Sequence, residues 1–125
     1  MNKTTLSLGL LLSTAMLSAC HHNPLETHKE QQSTRFLINA SMEAAKVLKP
    51  NMDGREAQYV YLNCMNGKEP DMDCTALYKA MADFAKRGSF SDFKGVSVAD
   101  LTDRAVFESL REGYEERLFY NDLGD

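Results

Sequence analysis

Apolar residues recur at helical spacing in four stretches of this chain, and each stretch has boundary residues that suit a helix. The first stretch begins at Ser33 or Thr34, whose side chains can accept a backbone hydrogen bond, and runs to about Lys49. Pro50 then disfavours helix at the residue before it. The apolar positions form a broad stripe: Phe36, Leu37, Ile38, Ala40, Ala44, Ala45, Val47 and Leu48. This spacing predicts an amphipathic helix.

The second and third helices are predicted to follow aspartates, because a carboxylate before a helix accepts hydrogen bonds from its free backbone amides. Asp53 precedes the second helix, which should end at Asn66-Gly67. Asp71 and Asp73 precede the third, for which Gly88 is the expected end. The apolar faces are Ala57, Val60, Tyr61 and Cys64 in the second helix, and Cys74, Leu77, Met81 and Phe84 in the third.

A loop and a last helix are predicted for the remainder. The loop from Ser89 to Gly95 carries Phe90 and Phe93, and Ser97 to Leu101 is expected to form a short turn. Thr102 or Asp103 then caps a helix whose apolar residues are Val106, Phe107, Leu110, Tyr114 and Leu118. Two i,i+4 ion pairs are expected on its outer face: Arg104 with Glu108, and Arg111 with Glu115. The sequence therefore predicts an all-α bundle of about four helices over residues 33–125.

The start of the chain has the pattern of a secretory signal. Lys3 precedes a mainly apolar run from Leu6 to Leu17, which is too short to span a bilayer as a helix. The run leads into Leu17-Ser18-Ala19-Cys20, which resembles the lipobox of bacterial lipoproteins. The alternative is an ordinary secreted protein with Cys20 near its cleavage point.

The lipobox resemblance implies that residues 1–19 are a signal peptide removed during export. It also implies that the Cys20 sulfur receives a diacylglycerol and that its new amino group is acylated. Several acyl chains hold a protein stably on a membrane, whereas one chain gives marginal binding. The residue after Cys20 is His21 and not aspartate. By resemblance to enterobacterial sorting, this implies that the protein is transferred to the outer membrane, where it faces the periplasm.

Residues 20–32 are polar and lack apolar periodicity, which predicts a flexible tether between the lipid and the domain. All three histidines, His21, His22 and His28, lie in this tether. Neutral imidazoles bind zinc, copper or nickel, but here nothing fixes their geometry, so a solvated linker is the preferred interpretation. We predict no metal and no cofactor.

Assigning Cys20 to lipid leaves Cys64 and Cys74 as a pair in an oxidising compartment. One lies at a predicted helix end and the other at the next helix start, which suits a disulfide closing a helical hairpin. Two buried free thiols are the alternative, and the spacing is not that of a zinc site. The region from Cys64 to Cys74 has Asn66-Gly67 and Pro70 between its cysteines and a predicted helix continuing past the second. In this it is similar to part of the small entry-exclusion lipoproteins of conjugative systems.

Composition and charge exclude several functions. The formal charge is −4 and no basic block occurs, which argues against nucleic-acid binding. No P-loop or dinucleotide motif is present, and a domain without histidine has few groups for acid-base chemistry near neutral pH. We therefore predict that the protein is not an enzyme.

Two kinds of function remain open. The chain is either an interaction or structural lipoprotein of the cell envelope, including one within a secretion or conjugation apparatus, or a ligand-binding or inhibitory lipoprotein such as an entry-exclusion factor. Docking on an envelope protein is preferred, because it requires only a surface patch. Aromatic residues are common anchors at interfaces, and the predicted patch contains Phe90, Phe93, Tyr114, Phe119 and Tyr120.

Overall fold

The computed structural model describes residues 22–69 and 71–124, and every regular element in these ranges is helical. The elements in chain order are α1 (Pro24–Thr27), α2 (Glu30–Leu48), α3 (Gly54–Ala57), α4 (Val60–Met65), α5 (Cys74–Arg87), a 3-10 turn (Ser91–Phe93), α6 (Val98–Leu101) and α7 (Arg104–Gly124). The predicted all-α class is confirmed.

Helix α2 lies at the centre of the bundle and packs against α5 and α7, the other two long helices. Its apolar stripe is buried as the spacing predicts, with Phe36, Leu37, Ala40 and Ala44 shielded from solvent. The stripe does not extend to the helix end, because Val47 is 71% exposed there. Full burial of a large apolar side chain contributes roughly 1.5–3 kcal/mol, so these contacts dominate the stability of the bundle.

Helix α7 follows the predicted pattern along its inner face. Its five predicted apolar residues are all buried: Val106, Phe107, Leu110, Tyr114 and Leu118. Asp103 accepts a hydrogen bond from the Val106 amide at 3.3 Å, so the aspartate and not Thr102 caps the helix start. Both predicted ion pairs form on the outer face, where such contacts contribute little to stability.

The predicted second helix is divided into α3 and α4, and the cause is a side chain from α2. In a continuous helix the Tyr61 amide would donate to the Ala57 carbonyl. Here the Ser41 hydroxyl accepts from the Tyr61 amide at 3.0 Å and donates to the Ala57 carbonyl at 2.9 Å. The inserted hydroxyl satisfies both backbone groups and produces the break. The predicted start is correct, because Asp53 caps α3.

The cysteine pair joins the end of α4 to the start of α5, which confirms the predicted disulfide-linked hairpin. Cys64 and Cys74 are bonded, with their Cα atoms 5.7 Å apart. Gly67 adopts a φ of 68° just after α4, a conformation that favours glycine, so the predicted end at Asn66-Gly67 is correct. Asp73 caps α5 by accepting from the Ala76 amide at 3.1 Å.

The predicted tether is wrong for most of its length, because the chain is folded from Asn23 onward. Leu25 of α1 is only 1% exposed. The Asn23 side chain accepts from the Leu25 amide and donates to the Asp100 carbonyl, both at 2.9 Å. These contacts fix α1 to the body of the domain. Cys20 and His21 lie outside the described residues.

The start of α2 also differs from the prediction. The helix begins at Glu30, so Ser33 and Thr34 lie inside it and cap nothing at its start. Ser33 is instead buried and donates its hydroxyl hydrogen to the Leu25 carbonyl at 2.7 Å. The serine thus joins α1 to α2, and the domain extends at least ten residues closer to Cys20 than predicted, from 33 to 23.

Candidate partner-binding surface

Two of the five predicted partner-binding residues belong to an internal aromatic cluster. Phe93 is 3% exposed, and its ring stacks on Phe36 with the centroids 4.7 Å apart. Phe90 is half-buried and meets the same Phe36 ring edge-on at 5.8 Å. The 3-10 turn folds this loop back over α2, so its aromatic side chains pack inward. Both residues were placed in the partner surface incorrectly.

Tyr114 is also a core residue. Its side chain is fully buried between α2 and the α3–α4 segment, and its hydroxyl donates to the Gln58 carbonyl at 3.1 Å. The Tyr61 ring lies 6.0 Å away, and the Tyr61 hydroxyl donates to the Leu101 carbonyl at 2.6 Å. Burial raises the pKa of both tyrosines far above the ordinary value, so both remain neutral hydrogen-bond donors.

The remaining predicted residues, Phe119 and Tyr120, are exposed on the last turns of α7. Their exposed fractions are 58% and 59%, and Leu123 beside them is 66% exposed. The two rings contact each other edge-on, with centroids 5.9 Å apart. At 100° per residue, these three side chains centre about 150° around α7 from the buried Leu118. We call Phe119, Tyr120 and Leu123 the C-terminal apolar patch.

Polar contacts on the opposite side hold this helix end against the domain. Tyr59 donates its phenolic hydrogen to the Asp122 carboxylate, which Arg55 also approaches at 3.7 Å. Asn121 donates to the Gln58 side chain at 3.3 Å. The end of α7 is therefore held against the domain by these polar contacts and by the buried Leu118, while the C-terminal apolar patch points into solvent.

The Tyr59 contact also changes the acid-base behaviour of the phenol. The hydrogen bond to Asp122, together with partial burial and the carboxylate charge, raises the pKa of Tyr59 to about 12. Ionising the phenol would remove the donated hydrogen and place two negative charges side by side. The link between α3–α4 and α7 is therefore intact at neutral pH.

A second surface feature with an exposed apolar side chain lies between α2 and α5. Val47 borders an open depression of about 320 Å³ that also includes Ala44, Ala80 and Phe84. Glu43, Asp83 and Arg87 line its polar rim. This depression is broad and shallow, and only one large apolar side chain on its wall, Val47, is well exposed.

The histidines do not come together in the described part of the chain. His22 is exposed, whereas the His28 ring packs on Phe93 with centroids 5.0 Å apart. His28 thus belongs to the folded domain, which corrects the prediction that the domain has no histidine. Among residues 22–69 and 71–124, no group of three or more His, Cys, Asp or Glu side chains is arranged to hold a metal ion.

Comparisons with protein-family models, with curated proteins and with solved structures found no match. Across the described ranges, no helix combines the length and the apolar character needed to cross a membrane.

Proposed function

We propose that the mature protein is a lipid-anchored, non-enzymatic docking module of the bacterial cell envelope. The anchor is Cys20, on the strength of the lipobox-like Leu17-Ser18-Ala19-Cys20 stretch. The docking surface is the C-terminal apolar patch, Phe119, Tyr120 and Leu123. The proposed location is the periplasmic face of the outer membrane, because the residue after the lipidated cysteine is His21 and not aspartate.

One observation carries the docking proposal: three large apolar side chains are exposed together on a helix end that is held in place. A loosely attached tail would expose such residues without consequence. Here Asp122 and Asn121 fix the helix to Tyr59 and Gln58. A pre-ordered aromatic surface loses little conformational entropy on binding, and aromatic residues are frequent anchors of interfaces.

The position of the patch supports the same role. Helix α7 starts beside the edge where the chain leaves toward Cys20, because His22 and Asp103 border one surface depression. At 1.5 Å per residue, Tyr120 lies about 25 Å along the helix axis from Asp103. The patch is thus separated along α7 from the point where the chain leaves toward Cys20, so the anchor does not cover it.

The non-enzymatic part of the proposal rests on the surroundings of the one histidine inside the folded domain. A histidine acting as general base is usually oriented by a partner of its second ring nitrogen. The contact described for His28 is instead with the Phe93 ring. An aromatic packing role accounts for this residue.

The proposal is tested by chemical crosslinking in intact cells, followed by affinity capture of the anchored protein. We expect the wild type to be captured with one discrete envelope partner, and the Phe119→Ser/Tyr120→Ser double variant to lose it at unchanged abundance. Val47→Ser is the matched control, because Val47 is equally exposed but lies outside the patch. Retention of the partner by the double variant would contradict the docking surface.

The anchor is tested separately. Intact-mass analysis should find three acyl chains on an N-terminal Cys20, and Cys20→Ser should leave the precursor unprocessed or release the protein from membranes. A free Cys20 thiol in the native host would contradict the anchor. The identity of the captured partner then distinguishes a secretion or conjugation component from another envelope protein.

A further inference from the structure

A groove on the surface of the domain carries three lysines. It lies between α5 and the segment 94–98, has a volume of about 430 Å³, and has an apolar floor of Ala82, Val96 and Val98. Lys79, Lys86 and Lys94 border it, together with the single carboxylate of Asp83. The groove thus has a net positive rim in a chain whose formal charge is −4. We call it the lysine groove.

The three lysines are exposed, and no ion pair of the described residues involves them. Three unpaired ammonium groups around one depression form a surface that suits a polyanionic partner.

The short connection to Cys20 places this groove close to the proposed bilayer. Asn23 is hydrogen-bonded to the Asp100 carbonyl, so the chain is fixed to α6 only three residues after Cys20. Three residues span at most about 10 Å, which is close to the Debye length at physiological ionic strength. Helix α6 has four residues, and Val98 at its start lines the groove. The groove and the departing chain therefore flank one short helix.

We infer that the lysine groove faces the bilayer that carries the Cys20 acyl chains and contacts its anionic lipid headgroups. This inference rests on the proposed anchor. Charge on the same edge supports the orientation: Glu26 and Asp103 border the depression at His22, on the other side of α6. An anionic membrane repels this acidic side and attracts the lysines. The domain therefore rotates until the lysine groove contacts the membrane. The C-terminal apolar patch then has a defined direction instead of rotating freely about the anchor.

The experiment uses the purified, mature acylated protein in two kinds of vesicle, one of phosphatidylcholine alone and one containing phosphatidylglycerol. The rate of modification by an amine-reactive reagent is measured for each lysine by peptide mass spectrometry. An anionic surface stabilises a nearby lysine ammonium group by about 1 kcal/mol relative to the neutral amine that reacts. Lys79, Lys86 and Lys94 should therefore be modified about fivefold more slowly in the vesicles that contain phosphatidylglycerol. Salt at 1 M should abolish the difference, because it shortens the Debye length to about 3 Å.

Lys46 is the internal control. It is exposed but does not border the lysine groove, so its rate should change clearly less between the two vesicles than the rates of the three groove lysines. Lys86→Gln should reduce the phosphatidylglycerol effect at Lys79 and Lys94, whereas Lys46→Gln should leave it unchanged. Equal rates in both vesicles, or equal slowing of Lys46, would overturn the inference.

The anchor and the groove can fail separately. A protein that carries acyl chains and floats with phosphatidylcholine vesicles, yet reacts equally in both preparations, refutes the lysine groove and leaves the anchor standing. A protein that carries no acyl chain on Cys20 refutes the anchor, and the orientation falls with it.

Discussion

Alanine substitutions at Phe93 and at Tyr120 compare an aromatic residue inside the domain with one on its surface. The structure buries Phe93 in a stacked cluster and exposes Tyr120 on the last turn of α7. Replacing each by alanine should therefore have very different consequences for folding.

The magnitude for Phe93→Ala follows from its surroundings. Truncating a buried phenylalanine typically costs about 3–5 kcal/mol, and stacking on Phe36 is included in that loss. In a domain of about a hundred residues, each kcal/mol lowers the melting temperature by about 4–8 °C. The lower limits, about 3 kcal/mol at about 4 °C each, give a fall of at least about 12 °C. Tyr120→Ala removes an exposed ring and should change the melting temperature by less than about 3 °C.

The assay is thermal unfolding of both variants at equal concentration and with the disulfide intact, followed by circular dichroism. Phe93→Leu is the matched control, because it retains much of the apolar volume and should lose clearly less than Phe93→Ala. A fall of less than about 4 °C for Phe93→Ala would return this residue to the surface. If Tyr120→Ala lowers the melting temperature as much as Phe93→Ala does, Tyr120 is a core residue and the C-terminal apolar patch is not an exposed surface.

Three further predictions address the contacts that define the fold. Ser41→Ala should lower the free energy of unfolding by about 2 kcal/mol, because it leaves the Ala57 carbonyl and the Tyr61 amide without their partner. Ser109→Ala, at an exposed serine, is the control. Equal unfolding free energies of the two variants would contradict the Ser41 bridge. Replacing Cys64 and Cys74 together by alanine should lower the unfolding free energy by roughly 3 kcal/mol, and a loss below about 1 kcal/mol would refute the stabilising role of the crosslink. The pKa of Tyr59 is raised to about 12 from 10.0. The Asp122 hydrogen bond therefore contributes fully to the stability of the fold below pH 10, and this contribution is lost as the pH rises from about 10 to about 12. The melting difference between wild type and Tyr59→Phe should therefore shrink across that interval, and a constant difference would contradict the Asp122 contact.

The long helices could be predicted from the sequence because each carries several apolar residues at helical spacing next to a strong boundary signal. Asp53, Asp73 and Gly88 mark true helix ends. The division between α3 and α4 could not be predicted, because it depends on Ser41, which is distant in sequence. No local pattern encodes an inserted side chain from another helix.

The folded state of residues 23–32 was missed for a related reason. Leu25 is the only large apolar residue in a polar segment, so periodicity has nothing to detect. Its burial depends on the Ser33 and Asn23 hydrogen bonds, which become visible only in three dimensions.

The candidate surface could be predicted only in part. Aromatic content pointed to five residues, but burial separates Phe119 and Tyr120 from the three that pack inside. Sequence spacing could have added Leu123, which follows Phe119 by one helical turn. The attachment of the helix end through Asp122 depends on Tyr59, which lies 63 residues away, and no sequence pattern indicates it.

If the C-terminal apolar patch docks on another envelope protein, site-specific photocrosslinking in living cells should capture the contact. A photoreactive phenylalanine analogue is placed at Tyr120 in one strain and at Val47 in another, since both positions are exposed and lie on different surfaces. We expect a discrete, irradiation-dependent adduct with one envelope protein from position 120 and none from position 47. No adduct from position 120, or the same adduct from both positions, would contradict docking through this patch.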